Sequence, residues 1–163
     1  MRNRFHDRRL RFSWQRLEDR AVPTTLVALI DSGVDLTSTT DSPYYNFTNA
    51  YDAYDKVAIT SSNHNLVQDT SLQHGHGSTV ADFVIAGLQQ AKAAQGANAL
   101  DIEIMPIRDT STMLNIDDSS VIRGVYWASD HGSSVINLSL VYPNRTPSDT
   151  RAIAPISRCL ARR

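Results

Sequence analysis

Apolar positions fall into a few dense runs along the chain, and the spacing within each run differs. Residues 25–30, TLVALI, are apolar or β-branched without alternation. Such a run predicts a strand buried on both faces, as in a parallel sheet. It stops at Asp31-Ser32-Gly33, a turn sequence. From Asp41 to Gln73 the chain is rich in Asn, Asp, Ser, Thr and Tyr. That stretch predicts a long surface excursion with one short strand near Val57–Ile59. After His76 the spacing turns helical. Val80, Phe83, Val84, Gly87, Leu88 and Ala91 lie three and four residues apart and form one apolar face.

Residues 101–107, DIEIMPI, alternate and predict the next strand. DSSVIRGVYWASDHG follows as a second helix, with Asp118 or Ser119 as N-cap and Gly132 as its stop. SVINLSL, residues 134–140, predicts a further strand. Strand, helix, strand, helix, strand is an α/β order, expected to give a mainly parallel β-sheet flanked by helices. The α/β domain is placed at residues 24–150, between a basic tail at 1–23 and a second basic tail at 151–163.

Composition narrows the class. With 163 residues, 41% hydrophobic and 20% charged, the chain has the make-up of one soluble globular domain with a real core. No apolar run approaches the ~20 residues of a membrane helix, so no membrane span is expected. The single cysteine, Cys159, excludes an internal disulfide and any Cys-based metal site.

A net charge of −1 conceals an asymmetry. Residues 1–20 carry seven arginines, and Arg151, Arg158, Arg162 and Arg163 close the chain. Between them the body is acidic. Clustered arginines can neutralise nucleic-acid phosphates, yet arginine-rich ends around an acidic body are the pattern of tails and targeting segments. Nucleic acid is therefore not an expected partner. Leu17-Glu18-Asp19-Arg20 resembles a short element near the start of many large exported bacterial proteins. It implies a secreted or extracytoplasmic protein.

Two positions carry candidate chemistry. Asp31 follows a buried strand, and the carboxyl ends of strands are where α/β proteins build sites. The same residue in the same turn also suits plain Asx chemistry, bonding to nearby backbone N–H groups. His76 stands between Gly75 and Gly77 at the start of a helix. There the helix dipole disfavours the protonated ring, which suits a base. His74, two residues earlier, opens a zinc reading, but His6, His64 and His131 complete no evident ligand set. A structural loop histidine is the third option.

The combination resembles a known family. VALIDSGVD is similar to the aspartate box of the subtilisin-like serine peptidases, and GHGSTVADFVIAG to their histidine box. IEIMPIRD resembles the connecting strand, and VIRGVYWASDHGSSVINLSL the helix and substrate-binding strand that follow. The boxes occur in the right order over roughly residues 26–141. The resemblance implies a subtilisin-like α/β fold and peptide-bond hydrolysis of a peptide or protein substrate. It also implies an Asp-His-Ser triad with Asp31 and His76 as its first two members. Asn137, Leu138, Ser139 and Leu140 would then line the substrate strand, since a sheet edge binds an extended peptide by adding a strand. Asp31 and His76 should stand within hydrogen-bond reach, no more than about 7 Å apart even with one bridging water. No cofactor is required. Ca2+ is an optional ligand, for which Asp41, Asp52, Asp55 and Asp69 offer hard oxygens, although loop acids are ordinarily just solvated.

Departures qualify this expectation. Thr79 stands where many members have a second histidine, Asp82 where they have Gly, and Val141 replaces the Gly that ends the substrate strand. Neither an Ala-Gly-Asn oxyanion segment nor a Gly-Thr-Ser-x-Ala nucleophile segment occurs. Ser133 follows a glycine but lies between a helix and a strand, so it is rejected as the nucleophile. The expectation is an incomplete peptidase domain, inactive as it stands. The alternatives are a non-catalytic α/β peptide-binding module and a histidine-based metal protein.

Overall fold

The computed structural model describes residues 24–69, 75–96, 101–110 and 117–140. Along the chain come β1 (Thr25–Asp31), β2 (Tyr51–Asp52), β3 (Val57–Ala58), α1 (His76–Gln95), β4 (Ile102–Arg108), α2 (Asp118–Asp130) and β5 (Val135–Asn137). The strands form one sheet in the order β3-β2-β4-β1-β5. All neighbours run parallel except the short β2–β3 hairpin. The architecture is α/β, as the alternation of elements predicts.

β1 lies between β4 and β5, and it has no polar side chain between Leu26 and Ile30 to offer to water. Successive side chains on a strand point to opposite faces, so such a strand needs cover on both. α2 covers one face, where Val125 and Ala128 meet Ala28, Ile30, Met105 and Ile107. α1 covers the other, where Ala81 and Ile85 meet Leu29 and Ile104. Gly124 lets α2 approach closely: a Cβ there would stand 3.1 Å from Ile107 Cγ2 and 3.2 Å from Ile30 Cγ2.

The described part of the polar excursion, to Asp69, holds three short 3-10 helices, Ser42–Tyr44, Phe47–Asn49 and His64–Val67, and a β2–β3 hairpin whose second strand, Val57–Ala58, falls where the sequence predicts a short strand. Ala50, Ile59 and Val67 give it a small core of its own. β2 joins the sheet alongside β4, where Arg108 ties the two together. The Arg108 Nε donates to Asp52 Oδ2 at 3.1 Å, and its guanidinium also reaches Asp55 at 2.7 Å.

Several local expectations need correction. The buried stripe of α1 is Ala81, Ile85 and Leu88, while Phe83 is 74% exposed. Both stripes have helical spacing, and the contacts of the helix's first turn decide which one faces the sheet. Ile85→Ala is accordingly expected to cost about 2–5 kcal/mol, and Phe83→Ser to stay within about 0.5 kcal/mol. Urea unfolding of the two variants measures this difference. The cap of α2 is Asp117, whose side chain accepts from the Ser119 N–H, rather than Asp118 or Ser119. Gly132, at φ 81°, follows the helix as its stop. β5 spans only Val135–Asn137 of the expected 134–140, and Val135 is 49% exposed. Among the described residues it pairs with β1 alone, the edge position expected of a substrate strand.

Candidate active site

The site forms where β1 ends and α1 begins. Asp31 is the last residue of β1 and its side chain is 3% exposed. His76 is the first residue of α1 and its ring is 32% exposed. The His76 Nδ1 stands 2.8 Å from Asp31 Oδ1 and 2.9 Å from Oδ2. An ionised carboxylate only accepts hydrogen bonds, so the proton on this side belongs to Nδ1. The lone pair of the ring is thereby left on Nε2. The Ser32 N–H donates to Asp31 Oδ1 at 2.8 Å and fixes the carboxylate from behind. A buried, anchored acid beside a partly open imidazole is an arrangement in which the acid can orient the ring and the ring can accept a proton.

The glycines of the two boxes have separate reasons. Gly33 adopts φ 115°, and a Cβ on it would lie 2.6 Å from the Val67 carbonyl oxygen. Gly77 is helical, but its Cβ would come within 2.1 Å of the Gly33 carbonyl oxygen and 3.1 Å of the Asp31 Cβ. The first turn of α1 therefore rests directly on the turn that follows β1. A Cβ on Gly75 would strike the Asp69 carboxylate. Backbone proximity, not backbone freedom, is what the Gly-His-Gly sequence provides.

The first N–H groups of a helix have no partner within it, and Gly75 has no side chain to offer them. They are met from outside. The Gly77 N–H donates to Ser32 Oγ at 3.0 Å, and the Ser78 N–H donates to Asp69 Oδ2 at 3.2 Å. The hydroxyls of Ser78 and Ser32 donate to the same carboxylate oxygen at 2.9 and 3.3 Å. Asp69, 8% exposed, is thus a remote cap that holds the His76-bearing end of α1 against the aspartate turn.

Among the acids considered for calcium, Asp69 is engaged in this cap, Asp52 and Asp55 hold Arg108, and Asp41 meets Ser38. Among the described residues no three of His, Cys, Asp and Glu converge into a metal-binding group. His74 and Val141 lie outside the described residues. Of the four substrate-strand candidates, only Asn137 belongs to β5, pairing with Leu29. Leu138, Ser139 and Leu140 continue beyond it, Leu138 being 40% exposed and the Ser139 hydroxyl donating to Asn137 Oδ1 at 2.9 Å. Continued by two residues, the β1–β5 register would set Ser139 level with Asp31. Ser133, which lies between α2 and β5, has its hydroxyl buried without a partner among the described residues.

Two acids of the site were not recognisable as such from motifs. Asp69 carried no signal beyond its charge. Asp109 had one: it follows the buried strand MPIR just as Asp31 follows VALI. It lies at the end of β4, fully buried, and its N–H donates to the Asp31 carbonyl at 2.9 Å. Burial first, then the neighbouring Asp31 charge, pushes its carboxyl up to about 7, against a weaker lowering by His76.

The aspartate–histidine contact stands at the carboxyl end of β1, the strand between β4 and β5 in an α/β sheet. Residues 23–161 match the subtilase family (peptidase S8), and the chain belongs to that family. It is similar to the cell wall-associated protease of Bacillus subtilis (strain 168), with 31% identity over 127 residues. The aligned region is 76% of this chain and 13% of that protein. The chain thus spans a small part of its relative's length.

Proposed function

We propose that these residues supply the acid–base half of a subtilase serine endopeptidase, with His76 as general base and Asp31 as the carboxylate that orients it. The observation that carries this reading is the Nδ1–carboxylate contact of 2.8 Å between a buried acid and an accessible ring. A serine hydroxyl is a weak nucleophile at neutral pH, and a neutral imidazole that removes its proton during attack is the ordinary remedy. Asp31 then stabilises the imidazolium that forms. Asn137 ends β5, which has one neighbour among the described residues, and an extended peptide pairing along it and the following Leu138–Leu140 as one more strand is part of this reading. The substrate is accordingly a peptide or protein. No helix among the described residues is long and apolar enough to cross a membrane. The relative's association with the cell wall and the export-type Leu17–Arg20 element favour an extracytoplasmic setting.

The 163 residues hold no Gly-Thr-Ser-x-Ala segment. A transition state here would gain neither covalent help nor oxyanion stabilisation, each worth orders of magnitude. This chain by itself is therefore expected to hydrolyse peptide and ester substrates no faster than its His76→Ala variant. A longer protein that adds the nucleophile segment should be labelled by a fluorophosphonate, and His76→Ala should abolish that labelling. Serine labelling that survives His76→Ala in the longer protein would sink the assignment of His76 as base.

A further inference from the structure

The Asp31–His76 pair has a further acidic neighbour that hydrolysis by a triad does not require. Asp109 directly follows β4 beside the end of β1, joined to Asp31 through the main-chain bond of 2.9 Å. Its residue is 0% exposed, and among the described residues neither carboxyl oxygen has a hydrogen-bond partner. Burying an unpaired, ionised carboxylate is costly enough that such groups ordinarily remain protonated. The other charges around it are already committed. Arg108 points to Asp52 and Asp55 on the β2 side, and on α2 Arg123 serves Asp117 and the Ala53 carbonyl. What α2 turns towards Asp109 is the Ser120 hydroxyl, which bonds the Asp109 main-chain carbonyl and leaves the carboxyl alone. The Asp31 charge raises the pKa of that carboxyl and the His76 charge lowers it.

We propose that Asp109 is a positioning residue of the catalytic pair, a second carboxyl kept as a neutral acid whose ionisation changes the negative charge His76 faces from one carboxylate to two. The inference rests on the reading of His76 as the base and adds a control on it. While Asp109 is protonated, Asp31 alone balances the imidazolium formed during serine attack. Once Asp109 ionises, that imidazolium has two negative neighbours, and the pair holds its proton more firmly. Coupling between two sites is reciprocal, so the charge state of His76 must in turn act on Asp109.

The test is an NMR titration of the full 163-residue chain from pH 5 to 9, following the His76 ring signals and the Asp109 side-chain carboxyl carbon. The Asp109 carboxyl is expected to titrate near pH 7, and the His76 ring should report a step at the same pH that Asp109→Asn removes. In His76→Ala, the Asp109 titration should move to higher pH, because a positive neighbour has been lost. This second variant keeps the inference testable if Asp109→Asn does not fold. Stability gives a further readout. A carboxyl raised in the folded state from an ordinary value near 3.8 to about 7 stabilises the fold fully below the lower value, and that contribution is lost as pH rises through the upper one. Asp109→Asn should flatten this decline. A merely structural buried acid would change the stability profile and leave the His76 ring unaffected. Identical His76 titrations in the native chain and Asp109→Asn, or an Asp109 titration indifferent to His76→Ala, would overturn the proposal. Failure of the base reading is distinguishable, because it would appear as a His76 ring insensitive to Asp31→Asn.

Discussion

In a nucleophile-bearing protein that contains these residues, Asp31→Asn is expected to lower kcat about 10⁴-fold with little change in KM. The reason lies in who bonds the carboxylate. The Ser32 N–H donates to Asp31 Oδ1 at 2.8 Å, so an asparagine would keep its amide oxygen there and place its NH₂ where Oδ2 stands, 2.9 Å from the His76 Nδ1. Facing a donor, Nδ1 must accept, and the ring proton moves to Nε2. The base is then present, correctly placed and in the wrong tautomer. Substrate contacts are untouched, which is why the loss falls on kcat. His76→Ala removes the base itself and should cost roughly 10⁶-fold. Adding Asp31→Asn to it should cost little more, because groups that act as a unit are not additive. Steady-state kinetics on the single and double variants measure all three values.

The second large effect concerns the fold. Arg108→Met is expected to destabilise the chain by about 3–5 kcal/mol, the usual cost of leaving one member of a buried ion pair alone. Asp52 is 0% exposed and sits between β2 and β4 with its partner's guanidinium as its only counter-charge in the described contacts. Its other oxygen must be preserved, because Asp52 Oδ1 accepts the N–H groups of Tyr54 and Asp55 at 3.1 and 3.0 Å. Asp52→Asn combined with Arg108→Met should therefore recover part of the loss, since the amide oxygen keeps those two bonds while the stranded charge disappears. Urea unfolding of the native chain, the single variant and the pair gives the comparison. An Arg108→Met chain as stable as the native one would show that β2 is held to β4 by other means.

The strands and helices were legible because burial on both faces and helical spacing leave plain marks in TLVALI, IEIMPI and the run after His76. The meeting of Asp31 and His76 was legible for a different reason: both belong to recognisable boxes that occur in order. What could not be read depended on contacts between distant segments. Phe83 and Ile85 both fit an apolar helical stripe, and the choice between them is set by Gly77 resting on Gly33 and by Asp69 capping from another loop. The role of Asp69 needs that same long-range contact, so its charge alone looked like a calcium ligand. β5 stops short because it has a neighbour on one side only among the described residues. Asp109 had a readable position, but its isolation depends on Arg108 turning to Asp52 and Asp55, a pairing across more than fifty residues of sequence.

The most direct measurement of the central claim is the tautomer of His76, read from the ring nitrogen and ring proton NMR signals of the 163-residue chain. The geometry requires a proton on Nδ1, hydrogen-bonded to Asp31 and strongly deshielded, with Nε2 carrying the lone pair in the neutral ring. Asp31→Asn should remove that deshielded proton and transfer the hydrogen to Nε2. A neutral His76 already protonated on Nε2 in the native chain, or ring signals unmoved by Asp31→Asn, would contradict the assignment of these two residues as the acid–base half of a subtilase site.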